Sequence, residues 1–365
     1  MRIAFAAPMK PPDDPVPSGD RTFARAILAA LSGLGHDVEL ASRFRSWTRE
    51  PDRQPALRSE GLREAAAVLA RLRENPPDFF LTYHLYHRAP DWIGPAVSQA
   101  LAIPYGIIEA SFARKQMAGP WAQGAADARA ALEGASLVAA IQSEDEAGLK
   151  AVVPEARLTR LAPFSDLSPF LEAPLHRPEG RTLKLLSVGM MRPGNKAETY
   201  RALASALSAW EFCDWHLCVV GEGPERGAIE PLFAPEKTRF LGGVPAERLQ
   251  ALYREADIFV WPSVKEPFGF VFMEAMASGL PAIGGRSGGV PDVVRDGKTG
   301  LLVEASDPAT ILAALDTLRD PAVRARMGEE ARRIAVAEHS LKAGQAKLAA
   351  FLERTCRNFA DRPLP

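Results

Sequence analysis

The sequence has little of what marks several common classes of protein. Its 365 residues include only 3 cysteines, Cys213, Cys218 and Cys356, and their positions have no metal-ligand spacing. So small and odd a number excludes a disulfide-rich fold and indicates a reducing compartment. Neither charge is in surplus, since 44 Lys and Arg balance 45 Asp and Glu. This balance gives no electrostatic reason to expect nucleic acid as a partner.

Long apolar runs are missing as well. No stretch approaches the roughly 18 uncharged apolar residues that a membrane-spanning helix needs. The N-terminal segment MRIAFAAPMKPPDD has an apolar run too short for a signal peptide, and prolines and acids follow it. We therefore expect a cytoplasmic protein, with peripheral contact at the inner face of the membrane left open.

The sequence does contain a regular alternation of strand-like and helix-like patterns. With 47% hydrophobic residues, the chain is long enough for two cores. The strand-like runs lie at 2–7, 37–42, 78–84, 104–110 and 136–142, and then at 183–189, 216–223, 238–243, 257–263, 280–285 and 300–305. Such alternation predicts parallel sheets covered on both faces. The predicted fold class is α/β, with two doubly wound Rossmann-like domains facing a cleft.

A proline-rich segment separates the two blocks. PFSDLSPFLEAPLHRPEGR (163–181) has neither helical nor strand periodicity, and we interpret residues 166–182 as an interdomain linker. This places one domain at 1–165 and another at 183–338. The helical pattern in 339–365 predicts a final helix that can cross back to the first domain.

Two helix starts and one helix end carry local signals. Ser18 is a plausible N-cap for the first helix, and Gly35 can close it. Ser143 and Glu146 have the spacing of a capping box.

The stretch KEPFGFVFMEAMASGLPAIG (265–284) joins a charged loop to an apolar helix and carries two acids. Its proline and glycines predict a helix that begins near Phe270, so Glu266 lies in the loop just before it. The first N–H groups of such a helix attract anions and hydroxyl groups, and Glu266 adds acceptors beside them. Glu274 lies inside the helix, where an unpaired carboxylate is costly to bury. A polyhydroxylated ligand attached to a phosphate explains this pair better than a solvated helix face does.

This stretch and several others resemble the retaining GT-B glycosyltransferases of glycosyltransferase family 4, also described as glycosyl transferases group 1. The motifs are EPFGFVFMEAMASGLPAI, GGVPDVVRDGKTGLLV (288–303), SVGMMRPGNK (187–196), VVGEGPER (219–226) and FLGGVPAERLQALYREADIFVWPS (240–263). The first domain fits less closely, through Gly19 in PSGD and through GLGHDVEL. Together these motifs are specific, although any one of them alone is not.

The resemblance implies an enzyme that moves a sugar from a nucleotide donor to an acceptor hydroxyl with retained anomeric configuration, without a cofactor or bound metal. It implies a role in polysaccharide or glycoconjugate synthesis of bacterial type. The first domain would take a sugar or lipid-linked acceptor, and the second a UDP, GDP or ADP sugar. Arg192 and Lys196 would neutralise the diphosphate, and Glu266 would hold hydroxyls of the donor sugar. The other implied contacts are Glu274 to the ribose, Gly243, Val244 and Leu249 to the base, the amides of Phe268, Gly269 and Phe270 to the sugar, and the amide of Gly19 to the phosphate.

The sequence departs from the family pattern at two places. Arg192 and Lys196 are one position closer than usual, and Ala197 stands where a glycine commonly follows the lysine. Where the first domain of the family often carries a histidine near the reacting sugar, this sequence has Glu109. His84, at the end of another predicted strand, is the second candidate for that role, and a purely structural His84 is the alternative.

Other functions and motifs stay open at this point. A nucleotide-sugar epimerase or hydrolase would share the phosphate contacts, and so would a non-catalytic nucleotide-sugar-binding subunit. The segment GEGPERG (221–227) has the spacing of a tight turn rather than of a dinucleotide site. The arginine-rich stretch at 43–64, with Trp47, could contact an anionic acceptor or a membrane. Its acids make a solvated helix and loop the simpler interpretation.

Overall fold

The structure is a computed structural model that describes residues 1–16, 18–172, 182–267 and 269–362. It divides into two compact units. Unit 1 comprises Met1–Phe164 with Leu341–Pro365, and unit 2 comprises Ser165–Ser340. Each unit is built on a six-stranded sheet, and all the strand pairs of both sheets within the described residues are parallel. The alternation of patterns therefore predicted the sheet type correctly.

The sheet of unit 1 has the strand order β2-β1-β3-β4-β5-β6. Its strands are β1 (Arg2–Ala6), β2 (Asp37–Ser42), β3 (Phe79–Leu85), β4 (Tyr105–Ala110), β5 (Leu137–Ala140) and β6 (Leu158–Arg160). The central strands are almost wholly buried, which explains their continuous apolar runs. Sequence analysis missed β6, because it has only three residues and buries only Leu158.

The sheet of unit 2 has the strand order β12-β11-β10-β7-β8-β9. Its strands are β7 (Leu183–Val188), β8 (Trp215–Val220), β9 (Thr238–Phe240), β10 (Ile258–Trp261), β11 (Ala282–Gly285) and β12 (Gly300–Val303). All six were predicted, although several are shorter than the apolar runs suggested. The order changes direction at β7 and β10, where the two halves of the sheet meet.

Helices connect the strands in both units. Unit 1 contains α1 (Gly19–Gly33), α2 (Gln54–Glu74), α3 (Gly94–Leu101), α4 (Ala122–Gly134), α5 (Ser143–Leu149) and α14 (Leu341–Ala360). Unit 2 contains α6 (Ser168–Leu171), α7 (Asn195–Ser208), α8 (Arg226–Ile229), α9 (Ala246–Glu255), α10 (Phe270–Ala277), α11 (Val290–Val293), α12 (Pro308–Thr317) and α13 (Pro321–Ile334). In the described residues, no helix combines the length and apolar character needed to cross a bilayer.

The capping predictions had mixed outcomes. Ser18 caps α1, since its hydroxyl accepts the Arg21 amide at 3.2 Å, and Gly35 follows the helix with φ +79°. The capping box at Ser143 was wrong. Ser143 is the first residue of α5 rather than its cap, and its hydroxyl accepts from the Arg160 guanidinium at 2.5 Å. Arg160 ends β6, so the strand that sequence analysis missed supplies the competing partner.

The segment predicted as a linker is only partly described. It includes the short helix α6, which the lack of periodicity did not predict, while residues 173–181 lie outside the described residues. The chain leaves unit 1 after Phe164 and returns at Leu341. A parallel bridge between Ser165 and Ser340 holds the two ends of unit 2 together, with the Ser165 amide donating to His339 O at 2.9 Å.

The last helix is an integral part of unit 1. α14 packs against α1, β4 and β5 and buries Leu348, Phe351 and Leu352. Its approach is close, because a Cβ at Gly106 would lie 2.9 Å from the Phe351 ring and one at Gly344 would lie 2.2 Å from Phe164. Glycines at these two positions therefore allow the helix to pack on its neighbours.

This packing leads to a stability prediction. Phe351→Ala should lower the free energy of unfolding of unit 1 by about 3–5 kcal/mol, because it leaves a cavity under α14. Glu353→Ala is the control on the same helix, where the side chain is 73% exposed and should change stability by less than about 0.5 kcal/mol. Urea unfolding of the full chain measures both, and equal losses in the two variants would show that α14 is not held by its apolar face.

Candidate active site

The loops that follow β7 and β8 are pressed together in unit 2. A Cβ at Gly221 would lie 1.9 Å from Gly189 O, and one at Gly223 would lie 2.2 Å from Met191 O. The Met191 amide donates to Glu222 O at 2.9 Å. The glycines of the GEGPER motif thus let one loop pass directly against the other, in keeping with the tight-turn interpretation. This contact fixes the backbone that leads into α7.

Lys196 and Glu266 meet at this end of the sheet. The Lys196 ammonium donates to Glu266 Oε2 in a short ion pair, and the indole N–H of Trp261 donates to the same oxygen at 3.3 Å. The ammonium also lies 5.1 Å from the centre of the Trp261 ring. The Glu266 side chain is only 13% exposed, so its charge depends on these two donors. We call Lys196, Trp261 and Glu266 the lysine–glutamate site.

Arg192 lies in the loop just before α7 and is exposed. Within the described ranges its guanidinium forms no ion pair, while its backbone carbonyl accepts the Ala197 amide at 3.1 Å. The two cations that the sequence singled out therefore flank the start of the same helix. One of them is occupied by Glu266, and the other is open to solvent.

The backbone around Glu266 is tightly held. Glu266 pairs with Gly288 in a parallel bridge, and its carbonyl accepts the Gly289 amide at 2.9 Å. Gly288 has φ +62°, and a Cβ there would lie 2.7 Å from Glu266 O. Lys265 also adopts a positive φ of +54°, and its amide donates to the Ser287 hydroxyl at 3.0 Å. The turn that carries Glu266 is thus fixed by the segment after β11.

Helix α10 begins at Phe270, as the sequence predicted, with Gly269 as its N-cap at φ +67°. Gly269 O accepts the amides of Phe272 and Met273 at 2.9 and 3.1 Å. Phe268, which the resemblance assigned to the donor sugar, lies outside the described residues. The helix ends at Ala277, and Gly279 follows with φ +77°.

Glu274 is half-buried on α10 and is not unpaired, as sequence analysis had assumed. The Tyr253 hydroxyl of α9 donates to its Oε2 at 2.9 Å. Burial nevertheless raises the pKa of Glu274 to about 7, because one hydroxyl only partly offsets the lost hydration. Forming the ionised carboxylate of Glu274 therefore costs free energy in the folded protein.

The residues assigned to the base lie in the loop between β9 and α9 and in the first half of α9. Gly243 is exposed, while Val244 and Leu249 are half-buried and pack on the core of unit 2. Leu249 is four residues before Tyr253 on α9, so the two side chains share one face of that helix. The structure therefore places the predicted base contacts beside the helix that holds Glu274.

A second polar cluster lies in unit 1. His84 Nδ1 is 3.0 Å from Asp20 Oδ1 and 3.3 Å from Glu109 Oε1. Asp20 follows Gly19, the first residue of α1. His84 and Glu109 are each the next-to-last residue of adjacent parallel strands, and both have positive φ, +62° and +59°. Positive φ in residues other than glycine costs of order 1–3 kcal/mol and is found mainly at functional sites.

Charge explains how these three groups coexist. Burial alone would lower the pKa of His84, but the neighbouring carboxylates Glu109 and Asp20 outweigh it and raise that pKa to about 9. Burial raises the pKa of Glu109 above its ordinary range, although the His84 charge opposes this. Burial would raise the pKa of Asp20, but its bond to His84 and the His84 charge together lower it. The two acids therefore favour the imidazolium form of His84.

The same cluster is the one group among the described residues with the make-up of a three-ligand metal site. One ligand atom from each of Asp20, His84 and Glu109 lies within 4.8 Å of the others. An imidazole and two carboxylates suit a divalent cation, which would have to displace the proton on His84. The resemblance did not imply this arrangement.

Sequence analysis named most of these side chains but missed three of their partners. Asp20, Tyr253 and Trp261 were each inside a quoted motif and were given no role. Asp20 offered a signal, because an acid in the first turn of a helix next to a predicted phosphate-facing glycine is a candidate polar contact. Tyr253 and Trp261 offered none, because their partners lie 21 and 5 residues away on other elements.

Comparison with known proteins identifies a family that unit 2 resembles. Residues 176–334, which cover most of unit 2, match the family model described as Glycosyl transferases group 1. That segment is therefore similar to the group 1 glycosyltransferases. A D-inositol 3-phosphate glycosyltransferase of Corynebacterium efficiens is 37% identical over 177 residues, which is 47% of this chain but only 36% of the relative's length.

Solved structures extend the likeness from this segment to the fold of the whole chain. Sucrose-phosphate synthase from Thermosynechococcus elongatus has a TM-score of 0.74 at 20% identity and covers 99% of this chain and 100% of its own. The Anabaena protein HepE in complex with UDP has a TM-score of 0.71 at 16% identity, covering 97% of this chain and 100% of its own. The fold is that of the GT-B glycosyltransferases.

The raised pKa of Glu274 predicts a pH-dependent stability. Because the folded pKa of about 7 lies above the ordinary 4.5, the folded state keeps a proton that the unfolded chain releases, and stability falls as pH rises from 4.5 through 7. Glu274→Gln keeps an acceptor for Tyr253 and removes the charge. It should stabilise the protein by on the order of 1–3 kcal/mol at pH 8 and change little at pH 5.

Urea unfolding at both pH values checks this, with Glu236→Gln, an exposed loop acid of the same unit, as the control. A gain of the same size at pH 5 and pH 8 would mean that the charge of Glu274 is not the cause.

Proposed function

We propose that this chain transfers a sugar from a nucleoside diphosphate donor to an acceptor hydroxyl with retention of anomeric configuration, in the synthesis of a polysaccharide or glycoconjugate. The observation that carries the proposal is the lysine–glutamate site with Arg192 beside it. Lys196 and Glu266, which are 70 residues apart in sequence, meet at the start of α7, and Arg192 lies in the loop just before that helix. A sugar diphosphate needs this combination of charge and acceptors.

The phosphate side is served by Arg192, Lys196 and the first turn of α7. Lys196 is the second residue of this fourteen-residue helix, so its ammonium adds to the positive end of the helix dipole. When the bond between sugar and phosphate breaks, negative charge grows on the departing diphosphate. Fixed cations at that position stabilise the transition state more than the ground state.

The sugar side is served by Glu266. In the ligand-free protein its carboxylate is satisfied by Lys196 and Trp261. A donor would draw the ammonium toward its phosphates and leave the carboxylate to accept sugar hydroxyls. The Lys196–Glu266 pair thus keeps both charges solvated by the protein until the ligand replaces each partner.

The nucleoside side is served by α9, α10 and the loop before α9. Glu274 is a hydroxyl acceptor suited to the ribose, and Gly243, Val244 and Leu249 form the surface beside it for the base. HepE was solved with UDP, which makes a UDP sugar the first donor to test, ahead of GDP and ADP sugars. In unit 1, Glu109 and His84 are proposed to hydrogen-bond the reacting sugar or the acceptor.

The direct test removes the exposed cation. Arg192→Ala should lower the rate of transfer by about 10²–10³-fold, since one fixed charge on the developing oxyanion is lost, while the fold survives because the side chain is exposed. Arg201→Ala, another exposed arginine on α7, should keep nearly the full rate. A radiolabelled sugar-nucleotide assay measures transfer, and NMR of the product gives the anomeric configuration.

Each outcome of that assay has one meaning. Transfer with inversion would refute the retaining mechanism. Epimerisation or hydrolysis with no acceptor product would indicate the second enzyme class, and binding without turnover would indicate a non-catalytic subunit. A near wild-type rate for Arg192→Ala would show that Arg192 does not stabilise the departing diphosphate.

A backbone substitution tests the position of Glu266. Gly288→Ala would put a Cβ 2.7 Å from Glu266 O and should weaken donor binding at least tenfold by shifting that turn. Gly297→Ala is the matched control, because this glycine has a similar φ of +72° but no atom within 4 Å of the added carbon. Both should cost about 1–2 kcal/mol in backbone strain.

Only Gly288→Ala should change the dissociation constant of the UDP sugar, measured by calorimetry. Equal affinities in the two variants would show that the position of Glu266 does not affect donor binding.

A further inference from the structure

We propose that an arginine–tryptophan surface in unit 1 binds the acceptor, and that this acceptor is a small polyhydroxylated molecule bearing a phosphate group. The surface consists of Arg45, Trp47, Arg49, Tyr86, Arg88 and Trp121. The inference rests on the proposed transfer reaction, which requires an acceptor but does not say what kind. No residue of this surface belongs to the sites described above.

The surface is made of guanidinium groups stacked on indole rings. Arg45 and Arg49 lie 4.7 and 5.5 Å from the centre of the Trp47 ring, and Arg88 lies 4.9 Å from the centre of the Trp121 ring. Stacking fixes the plane of a guanidinium and leaves its N–H edge available to a ligand. Three such edges on one surface form a site for an anion.

The parts of this surface are physically continuous. The Trp47 indole donates to the Tyr86 hydroxyl at 2.9 Å, and the ring centres then run from Tyr86 to His87 at 5.2 Å and from His87 to Trp121 at 5.7 Å. Burial raises the pKa of Tyr86, and the charges of Arg88 and Arg45 oppose that rise, so both guanidiniums lie near the phenol. The two stacked groups therefore belong to a single surface.

Arg45, Arg49 and Arg88 differ from the neighbouring cations Arg43 and Lys10, which form ion pairs. Arg43 pairs with Asp13 at 2.6 Å and Lys10 pairs with Asp14 at 3.4 Å. Across the described residues, no carboxylate lies within salt-bridge distance of Arg45, Arg49 or Arg88.

Arg45 Nε donates to Met9 O at 2.8 Å, whereas Arg88 Nε is buried and has no hydrogen-bond partner in the described part of the chain. The exposed acids that follow, Glu50 and Asp52, form no salt bridge with any of the three arginines. A ligand cannot reach this buried Arg88 nitrogen in the present arrangement, so the exposed Arg45 and Arg49 and the remaining N–H groups of Arg88 are the ones available to an anion.

The loops that carry the surface are cross-linked. Gln54 donates to His87 O at 2.6 Å and accepts the Gly124 amide at 2.9 Å, while the Thr48 amide donates to Arg88 O at 3.1 Å. A Cβ at Gly124 would lie 2.1 Å from both Gln54 and His87 O. Three separate loops are thus held in one arrangement before any ligand arrives, which lowers the entropy cost of binding.

The chemistry of the surface selects the class of ligand. A guanidinium binds phosphate through two parallel N–H bonds, more tightly than it binds a neutral hydroxyl. Trp47 and Tyr86 are half-buried, and the accessible part of each ring offers apolar surface against which the C–H face of a sugar or cyclitol ring can pack, whereas Trp121 is buried. Tyr86 is also 5.4 Å from His84, ring centre to ring centre. A ligand with its phosphate on the arginines would therefore present hydroxyl groups toward the Asp20–His84–Glu109 cluster.

The test measures binding to the full chain by calorimetry without donor. The probes are glucose 6-phosphate, glycerol 3-phosphate and myo-inositol 1-phosphate, each compared with its unphosphorylated form. At least one phosphate should bind, more tightly than its neutral partner and less tightly as salt rises. Arg49→Gln and Arg88→Gln should each weaken that binding by about tenfold or more, the loss expected for a charge-assisted hydrogen bond.

Arg63→Gln is the matched control. Arg63 is exposed on α2, nine residues beyond Gln54, about 13 Å along the helix, and forms no ion pair among the described residues. The substitution Arg63→Gln removes one positive charge from the same arginine-rich stretch and should leave the dissociation constant of the phosphate probe unchanged. Equal weakening by Arg63→Gln would show an unspecific charge effect and overturn the proposal.

Two further outcomes would overturn it. If none of the three phosphates binds while a UDP, GDP or ADP sugar does, the acceptor is not anionic and the proposed transfer reaction still stands. If vesicles with 30 mol% anionic lipid bind through Arg49 and Arg88 and sugar phosphates do not compete, the surface contacts a membrane. Failure of every nucleotide sugar to bind would instead refute the proposed function.

Discussion

The ion pair between Lys196 and Glu266, held against Trp261, is the interaction on which the candidate active site depends. Glu266 is mostly removed from water, so the Lys196 ammonium and the Trp261 indole supply the hydrogen bonds that its carboxylate would otherwise make to solvent. The pair also joins the start of α7 to the turn before α10. The glycines at 189, 221, 223 and 288 are needed because the loops that deliver these side chains approach within contact distance of one another.

The two units hold their polar groups in opposite ways. In unit 2 Lys196 neutralises the Glu266 carboxylate, and Arg192 adds a second positive charge nearby in sequence. The net positive charge of these three side chains suits an anion. In unit 1 the imidazole of His84 lies between the acidic side chains of Asp20 and Glu109, and both His84 and Glu109 have strained backbone with positive φ. Strain of this kind persists only where the surroundings enforce it, and here two adjacent parallel strands carry it at the same level.

Much of the fold was predictable because periodicity reports burial directly. The eleven predicted strands, the parallel sheets, the start of α10 at Phe270 and the loop position of Glu266 all follow from local pattern and from glycine and proline. The strand β6 escaped because three residues with one buried side chain leave no pattern. The capping box at Ser143 failed for a related reason, since its competing partner Arg160 comes from that same strand.

The candidate site was only half predictable. Residues in a motif can be named from the motif, but the partners that set their charge, Tyr253, Trp261 and Asp20, are fixed by tertiary contacts. The same limit explains why the arginine-rich stretch at 43–64 was ambiguous. In sequence its acids dilute its positive charge, whereas in the structure Arg43 is paired and Arg45 and Arg49 are stacked on Trp47.

The family match and the fold match cover different parts of the chain, as the proposed transfer reaction would lead us to expect. The family model matches residues 176–334, which lie in unit 2, whereas the solved structures that cover nearly the whole chain share 20% identity or less. A nucleoside diphosphate presents the same phosphates and ribose to every enzyme that uses it, so the residues that hold it are tightly restricted. Acceptors differ in shape and charge, so a unit that binds them needs only the same sheet beneath different side chains. The acceptor role that we propose for unit 1 agrees with this, since Glu109 and the stacked arginines lie there, outside the segment that matches the family model.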